Sequence, residues 1–478
     1  MPTAGSPAGP KTVPSESTPA TGRGPNGAGV AGDQVAEQPS YGSGARVLSV
    51  GIASTGIFTF LYLATASHVL DPASYSRISL CWAIMFVILS VIYRPVEQLL
   101  SRTIADRRAR GLHGHSLRIP AAIQFGFALI FLIVALLMRD QIEQGMFDGS
   151  SALYWILVVG VLAYSASYFA RGWLAGHQRF ALYGGLVFLE STSRFLFALA
   201  AAVGITSGQG AVGLGMAVAP FASLCVIPFA FSRLRLHAPS GVPAADAAGE
   251  GPAHAEIEEA ATDLSLKRGA GFAVSVVGIM LAEQTLMNAG VLIVAAKAGG
   301  TAGLTVGITG FVFNVMLIVR APLQLFQAIQ TSILPHLTGL EARESPEEFS
   351  RAIRITVRAI AAFAGAVAIG LLAIGPFVMT ALLGNKGFHY GRWGLAVVGL
   401  GMGLHLVAGT LNQAALARGR HRLAAVAWLT AGALFVLFML TPAITSEVTR
   451  VEISYFTAAL VLCGLLTALY RRGPLTTK

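Results

Sequence analysis

Residues 77–99 read RISLCWAIMFVILSVIYRPVEQL. From Ile78 to Tyr93 no side chain is charged; then Arg94 and Pro95 arrive together and Glu97 comes two residues later. The run has the length of an α-helix crossing a bilayer, which takes roughly 20 residues. A charge inside such a span costs about 2.5–3.5 kcal/mol even on the gentlest scale, so it persists only where it pairs, lines water or acts. How many such spans does the chain contain, and what do the charges inside them do?

The composition answers the first question. Of 478 residues 54% are hydrophobic and only 12% charged, where a soluble domain carries about 25% charged residues. Apolar runs fall near 46–67, 77–99, 118–138, 151–174, 181–204, 210–231, 270–296, 303–331, 353–375, 391–414, 422–441 and 451–470. The expected fold is an all-α polytopic membrane protein of about 12 transmembrane helices, in two six-helix bundles around a central cavity. The net charge is +10, but the basic residues sit in short loops without interleaved aromatics, so nucleic acid is not an expected partner. With the N-terminus inside, inner connections and the C-terminal tail carry 20 Lys and Arg against 6 in the outer ones. That bias sets the topology: a multi-pass plasma-membrane protein with both termini cytoplasmic. Lys supplies only 5 of the 33 basic residues, and Ala and Gly are abundant, as in GC-rich bacterial genomes.

Residues 1–44 are rich in Pro, Gly, Ser and Thr and read as a disordered tail. An N-terminal bundle is expected over 45–232, a cytoplasmic linker over 233–267, a C-terminal bundle over 268–473 and a short tail over 474–478. The halves look alike. The second span ends in Arg94-Pro95-Val96-Glu97-Gln98-Leu99, and the eighth in Arg320-Ala321-Pro322-Leu323-Gln324-Leu325. The fourth exits through Gly176-His177-Gln178-Arg179, and the tenth through Arg418-Gly419-Arg420-His421. Halves of six spans share one orientation, a plan in which substrate sites lie between the repeats.

Few residues inside the spans carry chemistry. Arg94 and Arg320 occupy matching places beside a proline. Proline frees backbone carbonyls, and a guanidinium forks onto phosphate oxygens; the alternative for both is snorkelling to the headgroups. Arg171 sits nearer the interface and is expected to snorkel. Glu190 and Arg194 lie i,i+4 on one helix face and can pair, as structural glue or in a cavity. Glu283 is near mid-span with no basic neighbour in sequence. It is a candidate proton or Na⁺ site with Glu190, or else pairs with Arg194 or Arg320. His405 reads as a packing residue, and Tyr62, Trp82, Tyr154 and Trp155 as anchors or packing. Cys81, Cys225 and Cys463 lie in apolar runs and imply no disulfide or metal site. No phosphate-loop motif, HExxH spacing or large outer domain is present, so no catalytic residues, metal or cofactor are expected, and the chain is not read as an enzyme.

Several segments resemble the polysaccharide flippases of the multidrug/oligosaccharidyl-lipid/polysaccharide exporter superfamily. Leu70-Asp71-Pro72-Ala73-Ser74-Tyr75-Ser76 is similar to their LGPxxYG outer turn but lacks the glycine usual there. Arg320-Ala321-Pro322 through Ser332-Ile333-Leu334-Pro335, and Ile374-Gly375-Pro376-Phe377 through Gly384, are similar to later motifs in the same order. The resemblance to the O-antigen and exopolysaccharide repeat-unit branch implies a polyprenyl-diphosphate-linked oligosaccharide as cargo, moved across the inner membrane by alternating access. The polysaccharide polymerisation machinery is then a candidate partner. On that reading Arg94, Arg320 and Arg194 bind substrate, and Glu283 and Glu190 couple to an ion. A cation-coupled small-molecule exporter and a lipid II flippase are the alternatives.

Overall fold

The computed structural model describes residues 41–109, 117–228, 252–298, 307–323, 326, 346–384 and 387–472. The tail up to residue 40, residues 233–251 of the expected linker, the motif around Pro335 and residues 474–478 lie outside them. The described residues form helices joined by turns and short loops, with no strand among them. In chain order the helices are α1 (Tyr41–Val69), α2 (Pro72–Ile88), α3 (Arg94–Ala109), α4 (Arg118–Leu137), α5 (Arg139–Gly145), α6 (Ser151–Gly176), α7 (Phe180–Ala202) and α8 (Gly208–Leu224). They continue with α9 (Pro252–Ala298), α10 (Ile308–Leu323), α11 (Pro346–Leu383), α12 (Arg392–Ala417), α13 (His421–Leu440) and α14 (Glu447–Arg471). Among the described residues nine helices are long and apolar enough to cross a membrane, with α8 and α10 as shorter apolar helices. The chain is a polytopic membrane protein. Helix α9 begins at Pro252, inside the stretch read as linker.

Local chemistry sets the breaks. Asp71 caps α2, its carboxylate accepting from the backbone N–H of Ala73 at 2.9 Å and Ser74 at 3.0 Å, with Pro72 in the first turn, where its missing N–H costs nothing. Between α2 and α3 the helix does not stop; it widens into a π-helical turn over Leu89–Tyr93, closed by the Arg94 N–H donating to the Leu89 carbonyl. Pro95 explains the widening. Its ring clashes with the carbonyl four residues back and it offers no N–H, and a π turn relieves both effects.

The halves pack by one plan. In the first, α1 lies against α7, α7 against α8, α8 against α6 and α6 against α4. In the second, the corresponding spans do the same: α9 against α13, α13 against α14, α14 against α12 and α12 against α11. The third and ninth spans, α4 and α11, are the least buried in both halves. Even the exits match. After α6, Arg179 N–H donates to Leu174 O at 2.9 Å and Gln178 N–H to Ala175 O at 3.0 Å, with Gln178 at φ +56°. After α12, Arg420 N–H donates to Ala415 O at 2.8 Å and Gly419 N–H to Leu416 O at 3.0 Å, with Gly419 at φ +69°. Both are Schellman caps.

Glycines bring the helices close, as is usual where lipid provides no hydrophobic drive to association. A Cβ on Gly172 of α6 would stand 2.8 Å from the Glu97 carbonyl of α3, so only glycine lets α3 and α6 approach there.

Candidate functional site

The intramembrane charges separate into two groups. The first is a knot inside the N-terminal half. Tyr164, Ser167, Tyr168 and Arg171 recur at helical spacing on one side of α6 and meet Glu190 and Arg194 of α7. Glu190 is bridged to Arg171 and, at 3.1 Å, to Arg194; it also accepts from the Tyr164 hydroxyl at 3.0 Å and from Ser167 at 3.4 Å. Arg194 donates to the Tyr164 hydroxyl at 2.5 Å and lies 4.7 Å over the Trp82 ring. Arg171 is only 8% exposed and stacks on Tyr168 at 4.5 Å. The expectation that it snorkels is corrected: the buried Glu190 carboxylate holds its guanidinium inside. Nothing in the sequence near Arg171 announces that partner, which arrives from the next helix.

The second group lies along α9. Arg94, at the exit of the π turn, makes no hydrogen bond among the described residues, and the carboxylates whose charge acts on it are Glu283 of α9 and Glu97. Glu97 accepts from the Tyr183 hydroxyl at 2.7 Å. About one turn further along α9, Arg320 of α10 donates to the Met287 carbonyl at 2.9 Å and to Asn288 Oδ1 at 2.6 Å. It covers the Phe313 ring at 4.2 Å. Arg320 is 9% exposed, has no ion pair, and its Nη1 has no hydrogen-bond partner among the described residues. It therefore does not reach a headgroup region. Gln284 accepts from Asn288 at 2.9 Å and holds that amide for Arg320.

Of four arginines inside the spans, then, two are paired on Glu190 and two are not ion-paired among the described residues. The unpaired ones are Arg94 from the first half, which feels the charge of Glu283 on α9, and Arg320 from the second, which is bonded to Met287 and Asn288 of the same helix. The charge facing Glu283 is Arg94, not Arg194 or Arg320. His405 bonds the Tyr455 hydroxyl at 3.1 Å and packs on Trp428. Tyr62, Trp82 and Tyr154 are core residues, while Trp155 is exposed.

The halves are tied together at the Asp71 end. Tyr75 donates to Asn314 Oδ1 at 2.5 Å, the Gly310 N–H donates to Ser76 Oγ at 3.1 Å, and Ser67 donates to the Leu383 carbonyl. Asn314 also donates to the Tyr390 hydroxyl at 3.3 Å. Among the described residues these hydrogen bonds across the halves all lie at this one end.

This arrangement of helices is that of a known class of transporters. The chain superposes on an outward-facing multidrug-resistance MATE family transporter of the MOP superfamily with a TM-score of 0.61, at 14% identity over 90% of this chain and 97% of the other. The eukaryotic MATE transporter AtDTX14 gives 0.60 at 11% identity, over 91% and 96%. A MOP superfamily transporter from Pyrococcus furiosus, described as having a binding pocket of reverse polarity, gives 0.59 at 13% identity, over 90% and 95%. No family model and no curated protein sequence matches the chain. The fold is thus that of the MATE transporters; at these identities the likeness speaks for the fold alone.

Proposed function

We propose that this protein is an exporter that carries an anionic, lipid-linked saccharide, of the polyprenyl-diphosphate class, across the bacterial plasma membrane by alternating access. The observation that carries the reading is the pair of guanidiniums without ion pairs, Arg94 and Arg320, brought to one helix from opposite halves. A diphosphate supplies the anionic oxygens that neither guanidinium has as an ion-pair partner. Arg194 serves by holding Glu190 rather than by reaching cargo. With the termini on the cytoplasmic side, the tied Asp71 end is the outer one on this reading. Glu283 answers the Arg94 charge while the site is empty and is the coupling carboxylate of this reading. Glu190, engaged by two arginines, has no room for an ion.

The test is direct. Wild-type protein in nanodiscs is titrated with polyprenyl diphosphate, with binding read by native mass spectrometry, beside Arg94→Ala and Arg320→Ala. Binding that falls tenfold or more in each variant, with melting unchanged, supports the clamp. Equal binding in all three removes it. In cells, loss of surface glycan with lipid-linked units accumulating on the inner leaflet is the matching result for a deletion strain.

A second reading, a cation-coupled small-molecule exporter, is favoured by the likeness to MATE transporters. Arg94, Arg171, Arg194 and Arg320 match Glu97, Glu190, Glu283 and Glu452 in number, so the spans hold no excess of carboxylate to draw an organic cation. Vesicle uptake of tetraphenylphosphonium driven by a proton or Na⁺ gradient would move the choice to it.

A further inference from the structure

Beside the tie at the Asp71 end lies a cavity of about 440 Å³, walled by Phe311, Phe388, His389, Thr445, Thr449 and Glu452 among others. Its volume falls within the range of small-molecule sites. Glu452 of α14 is 6% exposed and lines it, yet has no hydrogen-bond or ion-pair partner among the described residues. A buried polar group without a partner costs stability, so the carboxylate is placed for something outside the protein. Gly394 leaves the space it occupies: a Cβ at that position would overlap the Glu452 carboxyl.

The walls indicate what that something is. Phe311 stacks on Tyr390 at 4.4 Å and packs against Phe388 at 5.3 Å, presenting an aromatic floor. Threonine hydroxyls and the carboxylate rise from α14 and the turn before it. The local charge is balanced. Glu447 is held by Arg450 at 2.8 Å and lies 3.7 Å from Lys297, so with Glu452 two carboxylates stand beside two cations. His389 is the remaining titratable group on the wall, and it is exposed. A neutral surround gives no excess field to draw a cation. An aromatic face for C–H groups, a carboxylate acceptor and hydroxyls that both donate and accept match a neutral polyhydroxylated ring.

We infer that this cavity is a saccharide-binding site at the Asp71 end of the C-terminal half. It deepens the lipid-linked saccharide reading and rests on it for its role in transport. The floor is also part of the tie: Tyr390 bonds Asn314, which bonds Tyr75, and Phe311 succeeds Gly310, which bonds Ser76. A sugar seated there presses on the residues that hold the halves together.

The test uses full-length protein in nanodiscs and saturation-transfer NMR with free N-acetylglucosamine, galactose and rhamnose, so that no lipid or diphosphate is involved. At least one sugar is expected to show a saturable signal that is lost in Glu452→Leu and in Phe388→Ala, and largely kept in Glu452→Gln. Phe388 lies on a loop, so its variant guards against misfolding. Absence of signal for all three sugars, or equal signal in every variant, overturns the inference. So does tetraphenylphosphonium binding that depends on Glu452 in place of sugar. Arg320→Ala should leave free-sugar binding intact; a wild type that binds free sugar, and binds polyprenyl diphosphate no better than Arg94→Ala and Arg320→Ala do, would remove the clamp and spare this site.

Discussion

Tyr75 and Asn314 share a hydrogen bond of 2.5 Å that joins the first turn of α2 to the middle of α10, across the boundary between the halves. Both side chains are fully buried. If this bond helps to hold the end shut, weakening it shifts the halves toward opening. A net hydrogen bond contributes about 1 kcal/mol, roughly a fivefold change in an equilibrium. Tyr75→Phe is expected to speed hydrogen exchange of the backbone over 72–80 and 308–314 by about that factor. Gly310→Ala should act more strongly, because its Cβ would stand 2.8 Å from the Tyr75 ring. Exchange rates unchanged in both variants would show that other contacts keep this end closed.

The Glu190 knot makes a different demand. One carboxylate serves two buried guanidiniums, so removing its charge leaves both uncompensated. Breaking a buried pair from one side costs about 3–5 kcal/mol, and Glu190→Gln is expected to lower the melting temperature clearly. Replacing the group as a whole, with Glu190, Arg171 and Arg194 all exchanged for apolar residues, should recover much of the loss. Coupling to a proton or Na⁺ should survive in whatever folded fraction remains. Loss of ion dependence in Glu190→Gln at unchanged stability would return Glu190 to the coupling role.

How far the sequence led is clear from particular residues. The spans were legible because each is a long apolar run, and the second half's likeness to the first was legible in Arg94-Pro95 against Arg320-Ala321-Pro322. The i,i+4 pairing of Glu190 with Arg194 comes from helix geometry. What the sequence hid were contacts between helices. Arg171 is bound by a residue 19 positions away, and Glu283 faces an arginine from the other half. Glu452 went unmarked because it stands near the end of the last span, where a carboxylate is ordinarily solvated. The first turn of α12, whose Gly394 lies against the Glu452 carboxyl, helps to cover it.

Asp71 gives a pH-dependent prediction outside the spans. Partial burial pushes its carboxyl up, but hydrogen bonds from Ser74 and Ala73 outweigh this and hold it below the ordinary carboxylate range. The cap's contribution is therefore fully present above the unfolded-state value near ~4 and lost as the pH falls through the lowered folded one. Asp71→Ala should cost about 1 kcal/mol at neutral pH. Asp71→Asn keeps a capping oxygen and should show less loss of stability between about pH 5 and about pH 2 than wild type. Melting curves over that range decide it. A wild type and Asp71→Asn that lose stability in parallel would place the acid sensitivity elsewhere.

The π turn before Arg94 carries the last prediction. A proline inside a helix costs about 3 kcal/mol, and Pro95 sits within a span that otherwise runs unbroken from Pro72 to Ile104. The turn adds one residue to the helical register, which rotates Arg94 and Glu97 by about 100° at roughly 3.6 residues per turn. Their directions toward Glu283 and Tyr183 depend on that rotation. Pro95→Ala restores the missing N–H and permits a regular helix, so stability should rise. If the turn exists to aim Arg94, polyprenyl-diphosphate binding should fall together with that rise, as far as it does in Arg94→Ala. If melting rises while binding holds, the widened turn is a packing accommodation and Arg94 finds its place from the contacts of α3 with α6 alone.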